Sequence, residues 1–304
     1  MQNKSIVFTL VILISLCVGN YSLKARSIEF PLLQSFVYTP YTTDSNLGKG
    51  KYSILFDIYH SNIYMFNSSR TIFNDFESLG TQLSFRYGLS KRDTLEIHFR
   101  HVSIFGGFLD KFIEDFHRLF KFPDANRRLY PQFSTQYRYF DSFSYTRRQS
   151  TMLPIVVSYL KEIYSSPAFS LKTRAAVGIP IADKPGLSSS KIFVTAGLLT
   201  GFKTKNFSVD VGNYLSLVGR PKWIPKEDIG HFLLNSNIEA YWYRFIAGFS
   251  FRTSVFKRGD ISHNGYQCFV GYRVTRFLEF IILEDFAPFD TTPDISFNIR
   301  VKVI

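Results

Sequence analysis

The sequence predicts an all-β fold, an antiparallel transmembrane β-barrel of about twelve strands with one amphipathic helix carried in a long loop. Three observations predict it. Apolar and polar residues alternate with period two through most of the chain. The gaps between the alternating segments switch regularly between tight turns and longer loops. Aromatic side chains gather beside the tight turns.

Residues 1–25 read as a signal peptide. Lys4 supplies the positive start, Ile6 to Val18 is an apolar run, and the small residues Gly19, Ser22 and Ala25 follow. The run is shorter than the roughly 20 residues a helix needs to cross a bilayer. Leu16 precedes Cys17 where a lipoprotein signal needs a small residue, so Cys17 reads as part of the apolar run. After removal of this segment Cys268 is the one cysteine left, and no disulfide can form within the chain. Residues 26–304 contain no low-complexity linker and read as a single barrel domain.

Twelve segments read as strands, near 51–63, 78–89, 93–103, 152–163, 168–180, 191–202, 205–218, 230–242, 244–255, 264–274, 276–286 and 294–304. The last shows the pattern plainly: Ile295, Phe297, Ile299, Val301 and Val303 alternate with Ser296, Asn298, Arg300 and Lys302. A half-buried strand requires this, because successive side chains point to opposite faces. Tight turns fall at Ser90 to Arg92, Tyr164 to Pro167, Lys203-Thr204, Tyr243 and Thr275, and every second gap is longer. Strands joined that way put all tight turns at one end and all long loops at the other, as in outer-membrane barrels. Tyr87, Tyr164, Phe202, Phe207, Tyr241, Trp242, Tyr243, Phe245 and Phe277 flank the tight turns, where an aromatic girdle meets the headgroups. The general liking of aromatics for strands accounts for part of this in a chain that is 17% aromatic.

The longest gap, 104–151, holds the one helical stretch. Phe108, Leu109, Phe112, Ile113, Phe116, Leu119 and Phe120 form an apolar face, while Asp110, Lys111, Glu114, Asp115, His117, Arg118 and Lys121 cover the other. Gly106-Gly107 breaks the preceding strand, Asp110 lies in the first turn, Arg118 and Lys121 in the last, and Pro123 stops the helix. Twelve strands about 4.8 Å apart and tilted about 40° enclose a backbone diameter of about 24 Å, leaving about 14 Å or less between side chains. A helix of about 21 Å is too long to lie flat inside. Phe108, Phe112, Phe116, His117 and Phe120 are therefore expected to belong to a plug or cover at the barrel mouth, with rest on a lipid interface as the competing arrangement.

The helical run GGFLDKFIEDFHRLFKFPDANR and the ending EDFAPFDTTPDISFNIRVKV resemble the bacterial family of domain of unknown function 3187. The resemblance extends over most of the chain after residue 29. It implies an outer-membrane β-barrel of Gram-negative type and no particular activity. It also implies outer-membrane lipids and the barrel-assembly machinery as partners, although the chain closes on Ile304 where such barrels usually carry an aromatic residue.

The net charge of +12 divides by location. Parity turns Arg86, Arg100, Lys172, Arg174, Arg252, Arg273, Arg300 and Lys302 inward against Asp57, Glu96, Asp210, Glu239 and Glu279, a mildly cationic lumen. Arg86, Arg100, Arg174, Asp210, Glu239, Arg252, Arg273 and Arg300 are the candidate lumen residues. Lys91, Arg92, Lys203, Lys205, Arg244 and Arg276 lie at tight turns, near lipid phosphates or simply in water. Cations spread strand by strand argue against nucleic-acid binding.

No catalytic, cofactor or metal site is predicted. His101 and Ser103 have the strand spacing and outward parity of a lipid-facing hydrolase pair, but no outward Asn or acid flanks them to orient the imidazole. Ser262-His263-Asn264-Gly265 puts neighbours on opposite faces and reads as a turn. Asp110, Glu114 and Asp115 sit among Lys111, Arg118 and Lys121 and are explained by pairs along the helix. Six histidines without ligand spacing give no metal motif. The expected function is passive transport or binding of small solutes at the cell outer membrane. The alternatives are a lipid-modifying enzyme in the same barrel and a structural or surface interaction protein.

Overall fold

The computed structural model describes residues 47–66, 72–120, 133–139, 142–225, 229–253, 265–275, 278–285 and 295–303. Residues 1–25 and the Ser262 to Asn264 turn lie outside them. In chain order the elements are β1 (Tyr52–Phe66), β2 (Ile72–Gly88), β3 (Asp93–Phe105), α1 (Leu109–Phe120), β4 (Gln136–Tyr139), β5 (Phe143–Tyr145), β6 (Gln149–Met152), β7 (Ile155–Ser165), β8 (Phe169–Ile179), β9 (Phe193–Lys203), β10 (Phe207–Val218), β11 (Phe232–Trp242), β12 (Phe245–Arg252), β13 (Gly265–Arg273), β14 (Leu278–Asp285) and β15 (Ile295–Val303).

The long strands pair antiparallel with their sequence neighbours, β3 pairs with β7, and β1 pairs with β15. That last pairing closes a ring of twelve strands, β1 to β3 and β7 to β15, and leaves no open edge in the wall. Apart from the β1–β2 hairpin, each lies within a few residues of its predicted position. β4, β5 and β6 are short additions inside the 104–151 segment. β4 pairs with the upper end of β2, β5 with β4, and β6 with the upper end of β3. β6 and β7 form one line of pairing along β3; the Leu153 N–H still donates to the Arg100 carbonyl at 2.9 Å, and the line breaks at Pro154, which has no N–H to offer the ladder.

Four of the five tight turns share one local device, and the fifth turns through Tyr243 at φ 53°. Ser90, Ser166, Thr204 and Thr275 each accept, on the side-chain hydroxyl, the backbone N–H three residues later, at 3.1 to 3.2 Å. The acceptors' partners, Asp93, Phe169, Phe207 and Leu278, are the first residues of the next strands. A Ser or Thr at that offset fixes where each hairpin turns and hence its register.

Register sets the two faces of the wall. Phe85, Phe99, Val194, Leu215, Ile238, Phe249, Val270 and Ile299 are exposed on the outside, while Ser84, Arg100, Thr195, Ser216, Asn237, Ser250 and Asn298 are buried on the inside. Phe249 stands four residues above the β11–β12 turn, about 10 Å along the membrane normal at about 2.5 Å per tilted residue, within the apolar band. Phe249→Arg is expected to cost about 2 to 4 kcal/mol and to reduce the fraction of protein that keeps a compact mobility on an unheated gel. Arg252→Ser, on the inner face, should assemble like the parent, and the reverse ranking would contradict the facing of β12.

The sequence and the structure differ at the β1–β2 hairpin. β1 runs to Phe66 and β2 starts at Ile72, beyond the predicted ends at 63 and 78. Asn74, Asp75 and Glu77 break the apolar alternation and so read as loop, and Asn62 is a polar residue at an outward position near the predicted end of β1. They are buried in strands because other elements cover them.

The charged interior and its mouth

Cross-strand register assembles the inner charges into rows. Arg273, Glu279, Arg300 and Asp57 occupy matched positions on four adjacent strands, β13, β14, β15 and β1. Arg273 Nη2 donates to Glu279 Oε1 at 3.2 Å, Arg300 Nη1 to Glu279 Oε2 at 3.2 Å, and Arg300 Nε to Asp57 Oδ1 at 2.6 Å. Opposite charges alternate along the row, and this offsets the cost of taking them out of bulk water. A second group centres on Glu96, whose carboxylate takes Arg86 Nε at 2.8 Å and lies 3.4 Å from Arg174 Nη2 and 3.6 Å from His98 Nε2. His98 Nδ1 shares a 2.8 Å hydrogen bond with Ser84 Oγ.

The remaining candidate lumen residues also lie on inward positions but apart from these rows. Arg100 is buried, with Nη2 3.5 Å from the Pro154 carbonyl. Glu239 accepts from the Tyr241 hydroxyl and sits in register with Asp210. Arg252 lies opposite Asn235. Glu162, opposite Lys172, shares the inward parity of Val156, Ser158 and Leu160 and is a carboxylate that the sequence count leaves out. The bulge between Glu162 and Tyr164 obscures that end of β7.

Aromatic rings inside the barrel lie over glycines of the neighbouring strand. Tyr59 faces Gly80, Phe193 faces Gly178, Tyr214 faces Gly197 and Phe269 faces Gly248. A Cβ at Gly80 would lie 1.7 Å from the Tyr59 ring, and one at Gly248 2.1 Å from the Phe269 ring. These glycines let the rings lie along the wall.

The end with the long loops is closed by an aromatic cluster. Tyr137 and Tyr139 of β4 and Phe143 of β5 are buried with the inward residues Ile63, Phe76, Ile104, Val218 and Leu233 and with Leu187, Ile224 and Ile229 from the loops. The Tyr137 ring centroid is 4.8 Å from those of Phe76 and Phe143, and Phe143 is 5.6 Å from Trp223. Tyr137 donates its hydroxyl to the Gly186 carbonyl at 2.5 Å. Burial, with Tyr145 nearby, pushes the Tyr137 phenol well above its ordinary range, so it remains a donor at neutral pH.

The helix does not provide this closure, which corrects its expected role as plug. α1 lies on the outside of the wall. Glu77 and His60, whose parity is that of the exposed Leu79, Phe85 and Tyr52, meet at 2.5 Å, and Glu77 also accepts the Leu109 N–H at the first residue of α1. A carboxylate there meets the positive end of the helix dipole. Asn62 Nδ2 donates to Asp110 Oδ1 at 2.9 Å, and Leu109 and Ile113 pack against outward Phe297. His60 stands between Phe105 and Phe108. The physical reason is that Glu77, Asn62 and His60 give the helix a polar seat outside, while β4 and β5 already fill the mouth. Phe112 lies 6.4 Å from Phe297. The side chains of Phe116, His117 and Phe120 lie outside the described residues. The sequence signals that could reveal this arrangement are the short alternations Tyr137-Arg138-Tyr139 and Phe143-Ser144-Tyr145, and the acid at outward position 77.

His101 and Ser103 face outward near the top of β3. Ser103 Oγ donates to the Gln149 carbonyl at 3.3 Å and lies 3.4 Å from Arg148 Nε. Their cross-strand partners are Thr81, Leu79, Met152 and Ser150, so no carboxylate or carboxamide stands beside the imidazole in register. Among the described residues no group of three or more His, Cys, Asp or Glu could hold a metal ion.

The model of a family described as Protein of unknown function (DUF3187) matches residues 19–149, a segment that includes β1 to β5 and α1. No curated protein matches the chain. The fold is similar to that of the COG4313 outer membrane channel from Pseudomonas putida F1, at 10% identity and a TM-score of 0.53, over 84% of this chain and 97% of that one. Lower similarity is found to KdgM porin, with 10% identity, a TM-score of 0.42 and coverage of 82% and 98%. Outer membrane phospholipase A from Escherichia coli gives 10% identity, a TM-score of 0.41 and coverage of 82% and 92%. The closed ring of twelve antiparallel strands with an apolar outer face is the fold of an outer-membrane β-barrel.

Proposed function

We propose that the protein is a gated conduit for small solutes across the outer membrane, with an interior that favours anions and a cover built from its own loops. The observation that carries this reading is the placement of arginines in paired rows on the inner wall. Buried ion pairs are a weak means of stabilising a fold, and apolar side chains would fill an inert barrel at least as well. Polar interiors mark barrels that hold water.

Hydration of the interior follows from its unpaired amides. Buried Asn237, through both side-chain atoms, and Asn298 Oδ1 and Ser158 Oγ find no protein partner among the described residues. Such groups are ordinarily satisfied by water. The rings lying over glycines leave the axis to the polar side chains, and the β4–β5 cluster accounts for closure at one end. The Pseudomonas putida barrel of similar fold is described as an outer membrane channel, which agrees with this reading.

Swelling of proteoliposomes tests it. Small anions are expected to enter faster than cations of equal size, and both faster than into empty liposomes. Liposomes as tight as protein-free ones, with or without the cover, would refute conduction. Release of fatty acid from the same vesicles would point instead to a lipid-modifying enzyme.

A further inference from the structure

We infer that α1 is a membrane-interface helix, bound to the outer wall of the barrel and seated in the lipid of the outer leaflet. Three observations place it there.

The first is height. Tyr52 begins β1 at the tight-turn end, and the residues from it to Asn62 climb about 25 Å along the membrane normal, at about 2.5 Å per tilted residue, which is the height of the apolar band. The seat of the helix, His60, Asn62 and Glu77, therefore lies at the upper edge of that band.

The second is the division of its faces. Leu109, Asp110, Ile113 and Glu114 are buried toward the wall. Lys111, Asp115 and Arg118 form the next strip, exposed, with Arg118 Nη1 3.2 Å from Asp115 Oδ1. Phe112 and Leu119, continued by Phe108 just ahead of the helix, form the last strip and are 51%, 75% and 63% exposed. Three large apolar side chains on one exposed strip need an apolar medium.

The third is the direction in which that strip points. Phe112 adjoins Phe297, and Phe297 adjoins Phe280. From Phe297 the strand descends through Ile299 and Val301, both exposed on the lipid face. Asp110, on the other side of the helix, bonds to Asn62, two positions farther up β1 than His60. The apolar strip thus points down the wall toward the membrane interior and continues the barrel's lipid-facing belt, while the polar side points up. Lys111 and Arg118 are left at headgroup height, where cations meet lipid phosphates, the usual arrangement of an interfacial helix.

Spin labels test the assignment in the full chain with Cys17 and Cys268 replaced by Ser. A nitroxide is placed singly through Phe112→Cys, Leu119→Cys, Lys111→Cys or, as a wall reference, Phe249→Cys, and each variant is reconstituted in phospholipid liposomes. Collision with oxygen, which partitions into acyl chains, is compared with collision with a water-soluble nickel chelate. At positions 112 and 119 the oxygen-to-nickel ratio should match that at 249 and exceed that at 111 severalfold. Nickel access at 112 and 119 equal to that at 111 would put the strip in water. Exclusion of both relaxants there would show that another protein chain covers it. Either result overturns the inference, and Leu119, 75% exposed, gives a reading even where Phe112→Cys disturbs the helix.

Discussion

Glu96→Ala is expected to destabilise the barrel by about 3 to 5 kcal/mol, the range for breaking a buried ion pair from one side. Glu96 is 0% exposed and is the carboxylate between two guanidinium groups, Arg86 at 2.8 Å and Arg174 at 3.4 Å, with His98 beside it. Its removal leaves two buried cations facing each other across the inner wall. Glu96→Gln keeps the shape and should lose most of the same energy, because charge rather than packing is at stake. Urea titration of the barrel in detergent, read by tryptophan fluorescence, measures it. Lys161→Ala, exposed at the tight-turn end of β7, should remain within about 0.5 kcal/mol of the parent. A small effect at Glu96 would mean that interior water solvates both arginines without help.

The second large effect is expected at the mouth. Tyr137→Ser and Phe143→Ser each remove a buried aromatic, worth about 3 to 5 kcal/mol alone and less than the sum together, since the two rings touch. The Tyr137 to Gly186 hydrogen bond goes with the ring, and the hairpin is then tied to the barrel through the four-residue β4–β2 pairing, buried Tyr139 and the Ser134 to Asp75 hydrogen bond. The double variant should therefore open locally while the ring of twelve strands stays paired. Arg138 and Arg147 are exposed beside the cluster, so trypsin should cut there at least about tenfold faster than in the parent, since 1.4 kcal/mol of local opening is already tenfold. Unheated gel mobility should still report a folded barrel. Unchanged cleavage would contradict the cluster's role in holding the hairpin down.

How much of this was legible in the sequence follows from which surroundings impose a pattern. Lipid on one side and a polar interior on the other force strict alternation, so the twelve wall strands and the inward setting of Arg86, Arg174 and Arg300 can be read from residue parity alone. The turn residues Ser90, Ser166, Thr204 and Thr275 carry their own signal. The pattern fails where lipid is replaced by protein. Asn62, Asp75 and Glu77 occupy outward positions yet are polar, because α1 or the loops cover them, and in sequence Asp75 and Glu77 read as loop. β4 and β5 are three or four residues long, too short for alternation to stand out beside the helical period that follows Gly107. The amphipathic face of α1 tells that it must be covered and leaves open whether by the lumen or the outer wall. That choice is made by His60 and Glu77, far back in the chain from the Leu109 N–H that Glu77 accepts.

The most direct measurement is the current through single barrels in a planar bilayer when residues 133–146 are replaced by a short Gly-Ser link and the rest of the chain is kept. With the aromatic cover gone and the arginine rows intact, long-lived open steps are expected where the parent shows brief or rare ones. Under a salt gradient the reversal potential should take the sign of anion preference. A variant that folds, as judged by its gel mobility, and yet carries no more current than the parent would contradict both the gate and the conduit.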